Sequence, residues 1–334
     1  MKSFAIFALL MLFTIGGDGA ALAKPKQICI YQDSRGSLTQ VNSLRAVPSK
    51  YKKQARCFDP ARQADRLAAP EEIDLGRSIR EERSSTSLGP VDLRWARKAE
   101  RLFGRTPQRA TAEAMRAASR ALKKSGFPSG LRTLHMDWKI VFMDEEVPEQ
   151  QIPSYLVSNC HPAWMTPPAN IYVVAQRVVA GCGGSRSVST TVADSELMQT
   201  LLHEIGHVIE YQLLEGAGGR DRMRAEGFAS WFEQYSSEFS PVVKSGASQQ
   251  RYYSYARQSY AHYSGPLVFR GSALDYARAS MYFNAVVERR RVRGLMEVYD
   301  LIRNENLSFF AAVEQRHRWD MPKLEGEVQR LLQK

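Results

Sequence analysis

His203 and His207 stand four residues apart in Leu201-Leu202-His203-Glu204-Ile205-Gly206-His207-Val208-Ile209-Glu210, and Glu204 follows the first of them directly. On a helix that spacing puts both imidazoles on one face, where they can reach a single metal ion. The carboxylate beside that face can then act as a proton acceptor. With only six His in 334 residues, the pattern arises by chance in fewer than about one such chain in a hundred. Two imidazoles are an incomplete set, because a catalytic zinc takes three protein ligands and keeps a further position open for water. Glu226, in Arg224-Ala225-Glu226-Gly227-Phe228-Ala229, is the candidate third ligand.

These side chains need two helices to hold them. The spacing of Leu197, Leu201, Ile205 and Val208 predicts a helix over 195–214, starting after Asp194-Ser195 with Glu196 in its first turn. Gly216-Ala217-Gly218-Gly219 ends it and lets the chain turn back, so that a second helix over 223–235 can bring Glu226 against the first.

His-Glu-x-x-His followed by Glu226-Gly227-Phe228-Ala229 resembles the gluzincin metallopeptidases, the thermolysin-like clan, and more narrowly the peptidase MA-like domains of exported bacterial proteins. The resemblance covers roughly residues 135–330 and concentrates in 196–233. It implies an α+β fold, in which a small sheet, an active-site helix, a second helix with the ligand Glu and a helical C-terminal part make up a metallopeptidase-like domain. It also implies Zn2+ held by His203, His207 and Glu226, with Glu204 as general base in peptide-bond hydrolysis. Metzincins do not fit, because Glu210 and Leu213 occupy positions where their motif has Gly and a third His. Asp221 is an alternative ligand, though its surroundings lack that group's pattern. In thermolysin-like enzymes an Asp four residues after the ligand Glu orients a zinc-bound His. Here that position is Ser230, so Glu233 or Glu210 must serve instead. Tyr276 is similar to the Tyr that opens the post-zinc helix of MA-like peptidases and is the candidate oxyanion donor, with His262 as its competitor.

Elsewhere, helical periodicity predicts helices over 93–103, 111–124, 273–289 and 294–303, and strand-like runs cover Trp138–Met143 and 171–179. Ile171–Val174 with Val178-Val179 is the expected sheet edge for an extended substrate. His135, His161, Trp164 and His317 lack ligand spacing and read as packing or surface residues. The charged, Ala- and Ser-rich stretch 60–92 reads as a linker, and 93–334 as the metallopeptidase-like domain.

The chain opens with Lys2, the apolar run Phe4–Ile15 and Ala21-Leu22-Ala23, the pattern of a secretory signal peptide cleaved after Ala23. An uncleaved anchor is the competing reading, and the run is short for one. Export makes the four Cys legible as disulfides. Three pairings are possible, and local loop closure favours Cys29–Cys57 with Cys160–Cys182. Residues 24–59 read as a small β-hairpin module around Asp33-Ser34-Arg35-Gly36. It is similar to the N-terminal modules of many exported bacterial proteins, in Tyr31, Asp33, Gly36 and Val47-Pro48-Ser49-Lys50-Tyr51.

Forty-six Lys and Arg against 35 Asp and Glu give a net charge of +11, which favours anionic partners. A cell-envelope polymer or a lipid surface fits that charge, and nucleic acid is disfavoured. The basic residues are dispersed, with local clusters at Lys50-Tyr51-Lys52-Lys53 and Glu288-Arg289-Arg290-Arg291-Val292-Arg293 that read as solvated faces. The apolar fraction of 44% rules out general disorder. The expectation is a periplasmic or extracellular zinc metallopeptidase acting on peptide or protein. The competing readings are a non-catalytic envelope-binding protein on the same fold and a zinc hydrolase of a non-peptide amide.

Overall fold

A computed structural model describes residues 28–32, 38–41, 45, 48–52, 56–58, 79–124, 126–144, 161–181, 188–215, 221–263 and 267–334. The chain divides into two compact units, Met1–Ala68 and Ala69–Lys334. The predicted signal peptide, Cys160, Cys182 and the Gly216–Gly219 turn lie outside the described residues.

The first unit is a three-stranded antiparallel sheet in the order β2-β1-β3, made of β1 (Ile28–Gln32), β2 (Leu38–Val41) and β3 (Arg56–Phe58). Strands β1 and β2 flank the expected turn at 33–36. The β1–β3 register sets Cys29 directly opposite Cys57.

The second unit is α+β: a mixed five-stranded sheet in the order β4-β5-β6-β8-β7, followed by helices almost to the end. Its strands are β4 (Ile79–Thr86), β5 (Gly89–Ala96), β6 (Trp138–Met143), β7 (Ala163–Thr166) and β8 (Asn170–Val174). Between β5 and β6, which pair in parallel, run α1 (Arg97–Glu100), α2 (Pro107–Lys123) and α3 (Ser129–Arg132). After the sheet come α4 (Ala175–Ala180), α5 (Thr190–Leu213), α6 (Arg222–Ser237), α7 (Ala247–His262), α8 (Ala273–Glu305), α9 (Phe309–His317) and α10 (Met321–Leu332). No helix among the described residues is long and apolar enough to cross a membrane.

Three sequence expectations are corrected. The stretch 79–92, read as linker, supplies β4 and the start of β5, and 93–96, read as helix, completes β5. Strand β4 lies at a sheet edge, and its Arg80, Glu81, Glu82 and Arg83 are exposed, as edge strands favour. Such a composition reads as solvated coil until its partner is known. In β5 the alternation is plain once the strand is recognised, because Val91, Leu93 and Trp95 point into the core. The third correction concerns the substrate edge. Strand β8 lies inside the sheet, between β6 and β7, and Val178-Val179 belong to α4, so the edge strand on this side is β7.

Helix α5 begins five residues earlier than expected, at Thr190, where the Ser189 hydroxyl caps it by accepting from the Val192 N–H. Asp194 therefore lies within the helix. Its carboxylate accepts from the backbone N–H of Gly104 (2.9 Å) and Arg105 (3.1 Å) and from the Arg105 guanidinium (2.9 Å), tying α5 to the turn before α2. Leu197, Leu201, Leu202, Ile205, Val208 and Ile209 are all buried, which fixes the rotation of α5 about its axis.

Candidate metal centre

The two glycines of the motifs set how closely three helices approach. A Cβ on Gly206 would lie 2.9 Å from the Cα of Ala229, so α6 can rest on α5 only because residue 206 has no side chain. A Cβ on Gly227 would lie 2.6 Å from the Phe283 ring, and α8 closes on α6 there in the same way. Phe228, Trp231 and Phe232 of α6 fill the space between, with Phe228 5.2 Å from the Tyr299 ring centroid.

This packing carries Glu226 to the two histidines. One carboxylate oxygen, Glu226 Oε2, lies 3.3 Å from His203 Nε2 and 3.3 Å from His207 Nε2. The two imidazoles sit edge to face with centroids 4.9 Å apart. One nitrogen from each ring and one carboxylate oxygen all lie within 4.8 Å of one another. Ligand bonds of about 2.0–2.1 Å in a tetrahedron place neighbouring donor atoms about 3.3 Å apart, so the two His–Glu separations fit a zinc ion bound to both. An N2O donor set with a carboxylate suits that ion.

Negative charge is concentrated around the two imidazoles. Burial depresses the His203 imidazole, but its contacts with Glu226 and Glu233 and the charges of Glu204 and Glu226 outweigh that and hold it up at about 10. Burial also opposes the charge on His207, and the Glu226 carboxylate again prevails and raises it. Glu226 is held well below the usual carboxylate range: burial pushes it up, while the two histidines pull it down further. Metal binding replaces imidazole protons, and the same carboxylate that holds those protons can hold the ion.

Glu204 differs from its neighbours. It is buried, its Oε2 has no hydrogen-bond partner among the described residues, and burial raises its pKa. A carboxylate desolvated and left without a donor is primed to accept a proton.

Behind the histidines, Glu233 is seven residues, about two turns, along α6 from Glu226 and so on the same face. Its Oε2 lies 3.6 Å from His203 Nδ1, on the far side of that ring from Glu226. Tyr252 (2.6 Å), Ser248 (3.0 Å) and Arg251 (3.0 Å), all from α7, donate to the same carboxylate. Burial pushes Glu233 up, and its His203 and Arg251 partners bring it below the usual range. Glu210, the other candidate for this role, is engaged elsewhere: Arg224 Nε (2.8 Å) and the Tyr299 hydroxyl (2.7 Å) donate to it, joining α5, α6 and α8.

Tyr276 of α8 lies beside the centre, its ring centroid 6.0 Å from that of His203. Burial and then the Glu226 charge raise its phenol, so the hydroxyl stands in the field of that carboxylate. His262 is not brought here. It is exposed at the last residue of α7, where its Nδ1 pairs with the Gln258 carbonyl at 2.7 Å. Ten helical residues, about 15 Å, separate it from Tyr252, which reaches Glu233. Asp221 caps α6 by accepting from the Arg224 N–H, so it serves the helix and not the cluster.

His161 joins the site although its position in the sequence gives no hint of it. It lies just before edge strand β7, 6.4 Å from the Tyr276 ring centroid, and burial lowers its pKa while the charges of Glu226, Arg222 and His203 also reach it. Arg222, 3.8 Å from Glu226 Oε1 and stacked over Phe269, forms the same wall. The i,i+4 relation of Arg222 to Glu226 was visible in the sequence, whereas His161 is 42 residues before the motif. No protein-family model matches the chain, and no curated protein matches it either.

Proposed function

We propose that the chain is a zinc-dependent metallopeptidase of the gluzincin type, acting outside the cytoplasm on peptide or protein substrates. The observation that carries this reading is the convergence of His203 Nε2 and His207 Nε2 on one oxygen of Glu226 at 3.3 Å each, beside a buried Glu204 with an unpartnered oxygen. His203, His207 and Glu226 would hold the metal. When bound, zinc supplies Lewis-acid polarisation of a water and of the scissile carbonyl.

The protein's own groups do the rest. Glu204 takes the proton of the attacking water and later delivers it to the leaving amine. Its burial raises the carboxylate's pKa and so makes it a stronger base for the first step. Glu233 holds the His203 ring by its Nδ1 side and favours the tautomer that leaves Nε2 free to ligate. Tyr276 offers a phenolic donor where negative charge develops on the carbonyl oxygen.

Peptide is favoured over a non-peptide amide by β7. It is the edge strand, it follows His161, and an extended substrate could add to it as a further strand with its scissile bond toward the metal. An envelope-binding protein would have no use for a base between two ligands.

The deciding experiment combines metal content with hydrolysis of an unbiased peptide mixture. About one zinc per chain is expected, with cleavage abolished by a chelator and restored by zinc. Glu204→Gln is expected to keep the zinc while turnover falls roughly 10²–10⁴-fold. Zinc retention with no cleavage in the wild-type chain would move the reading to the envelope-binding alternative.

A further inference from the structure

The basic run Arg289-Arg290-Arg291-Val292-Arg293 in α8 has no part in the proposed hydrolase chemistry. The helix breaks inside it. Arg291 takes φ 62° and ψ 175°, a backbone region that only glycine enters without strain. The break is held by packing: a Cβ on Gly126 would lie 2.8 Å from both the Arg293 nitrogen and the Val292 Cβ. Strain that the surrounding structure maintains in this way marks functional positions more often than chance placement would.

A cleft of about 360 Å³ opens beside the break, between α8 and the end of α9. Arg290, Arg293, Arg316 and Arg318 line it, with Glu297 as the lone carboxylate. That carboxylate is shared, lying 3.3 Å from Arg293 and 2.8 Å from Arg316. Neither Arg290 nor Arg318 has an acidic partner among the described residues. Arg290 lies over the buried Trp319 ring at 5.6 Å, which holds its guanidinium at the cleft wall. Arg318, which lines the cleft, closes α9 with φ 58°.

Concave walls of low dielectric focus the field of these charges, and guanidinium forks match phosphate oxygens in pairs. Large apolar side chains exposed among the described residues are Val192, Tyr255, Tyr263 and Val268, and none lines this cleft. A bilayer-docking face would carry such residues beside its cations. We propose that this cleft binds a phosphate group of a soluble, linear polyanion and so tethers the protein to a polymer of that chemistry. The proposal is independent of the hydrolase reading.

The test is calorimetric titration of the full chain with a short linear polyphosphate, alongside Arg290→Gln/Arg318→Asn, where Asn suits the positive φ at 318. A control of equal charge change is Arg116→Gln/Arg120→Gln on the exposed face of α2. Saturable binding is expected, weakened at least about 10-fold in the cleft variant and less than about 2-fold in the control. The slope of log affinity against log salt should also become shallower in the cleft variant only. Should the double variant lose its cooperative unfolding, Arg318→Asn alone carries the same comparison at an exposed side chain. Equal weakening in both pairs would show diffuse charge and overturn the proposal. So would absence of binding, equal affinity for inorganic phosphate, or binding restricted to phosphatidylglycerol vesicles.

Discussion

Gly206 and Ala229 touch so closely that a single added methyl at residue 206 would lie 2.9 Å from the Ala229 Cα and 3.2 Å from its carbonyl oxygen. The contact is between backbones, so no flexible side chain can move aside. Gly206→Ala must therefore part α5 from α6, costing about 1–3 kcal/mol as overpacking usually does. Since α6 carries Glu226, the proposed third ligand should move with it. Thermal unfolding is expected to shift down, and zinc should leave the variant faster than it leaves the wild type. A variant that unfolds earlier but holds zinc unchanged would separate the glycine from the site.

Glu233 and Glu210 are both buried carboxylates on the site helices, and their substitutions should part company. Glu233→Gln keeps the volume and removes the charge behind His203, so zinc affinity should fall about 10–100-fold. Glu210→Gln weakens the Arg224 and Tyr299 ties, so stability should fall with little change in zinc affinity once the protein is folded. Competition with a chromogenic chelator, measured below the unfolding temperature, distinguishes the two.

Tyr276→Phe keeps the ring contacts with His203, His161 and Phe269 and removes only the hydroxyl. A donor used only as charge develops on the carbonyl should lower kcat by roughly 10–10³-fold with KM little changed. His262→Ala should be silent, given its place at the exposed end of α7. If Tyr276→Phe is silent as well, His161 is the next group to substitute, because it shares the wall with Tyr276.

Cys29 and Cys57 face one another in the β1–β3 register. Directly opposed residues of antiparallel strands have Cα atoms about 4.5–5.5 Å apart, within the range a disulfide spans. Peptide mapping without reduction should recover these two half-cystines in one linked fragment from exported protein. Recovery of Cys29 linked to Cys160 or Cys182 instead would rule out the local pairing.

Chemistry that depends on neighbours along one helix was legible in the residues alone. The i,i+4 spacing of His203 and His207 depends only on helical geometry, and Glu226 follows from a glycine-rich turn and a second periodic run. The two helical runs 273–289 and 294–303 were likewise legible on either side of Arg291, where the structure places a break. Strand β6, apolar and buried at every position but Lys139, is legible in the sequence with its observed limits. Tertiary structure alone decided the rest. Strand β4 has little apolar pattern of its own, because as an edge strand it leaves most of its side chains in water. Glu210 and Glu233 look alike in the sequence, and only the packing of α7 and α8 gives one to His203 and the other to Arg224. His161 reaches the centre because β7 comes to the sheet edge beside α5 and α8, a placement set by long-range packing that no spacing along the chain encodes.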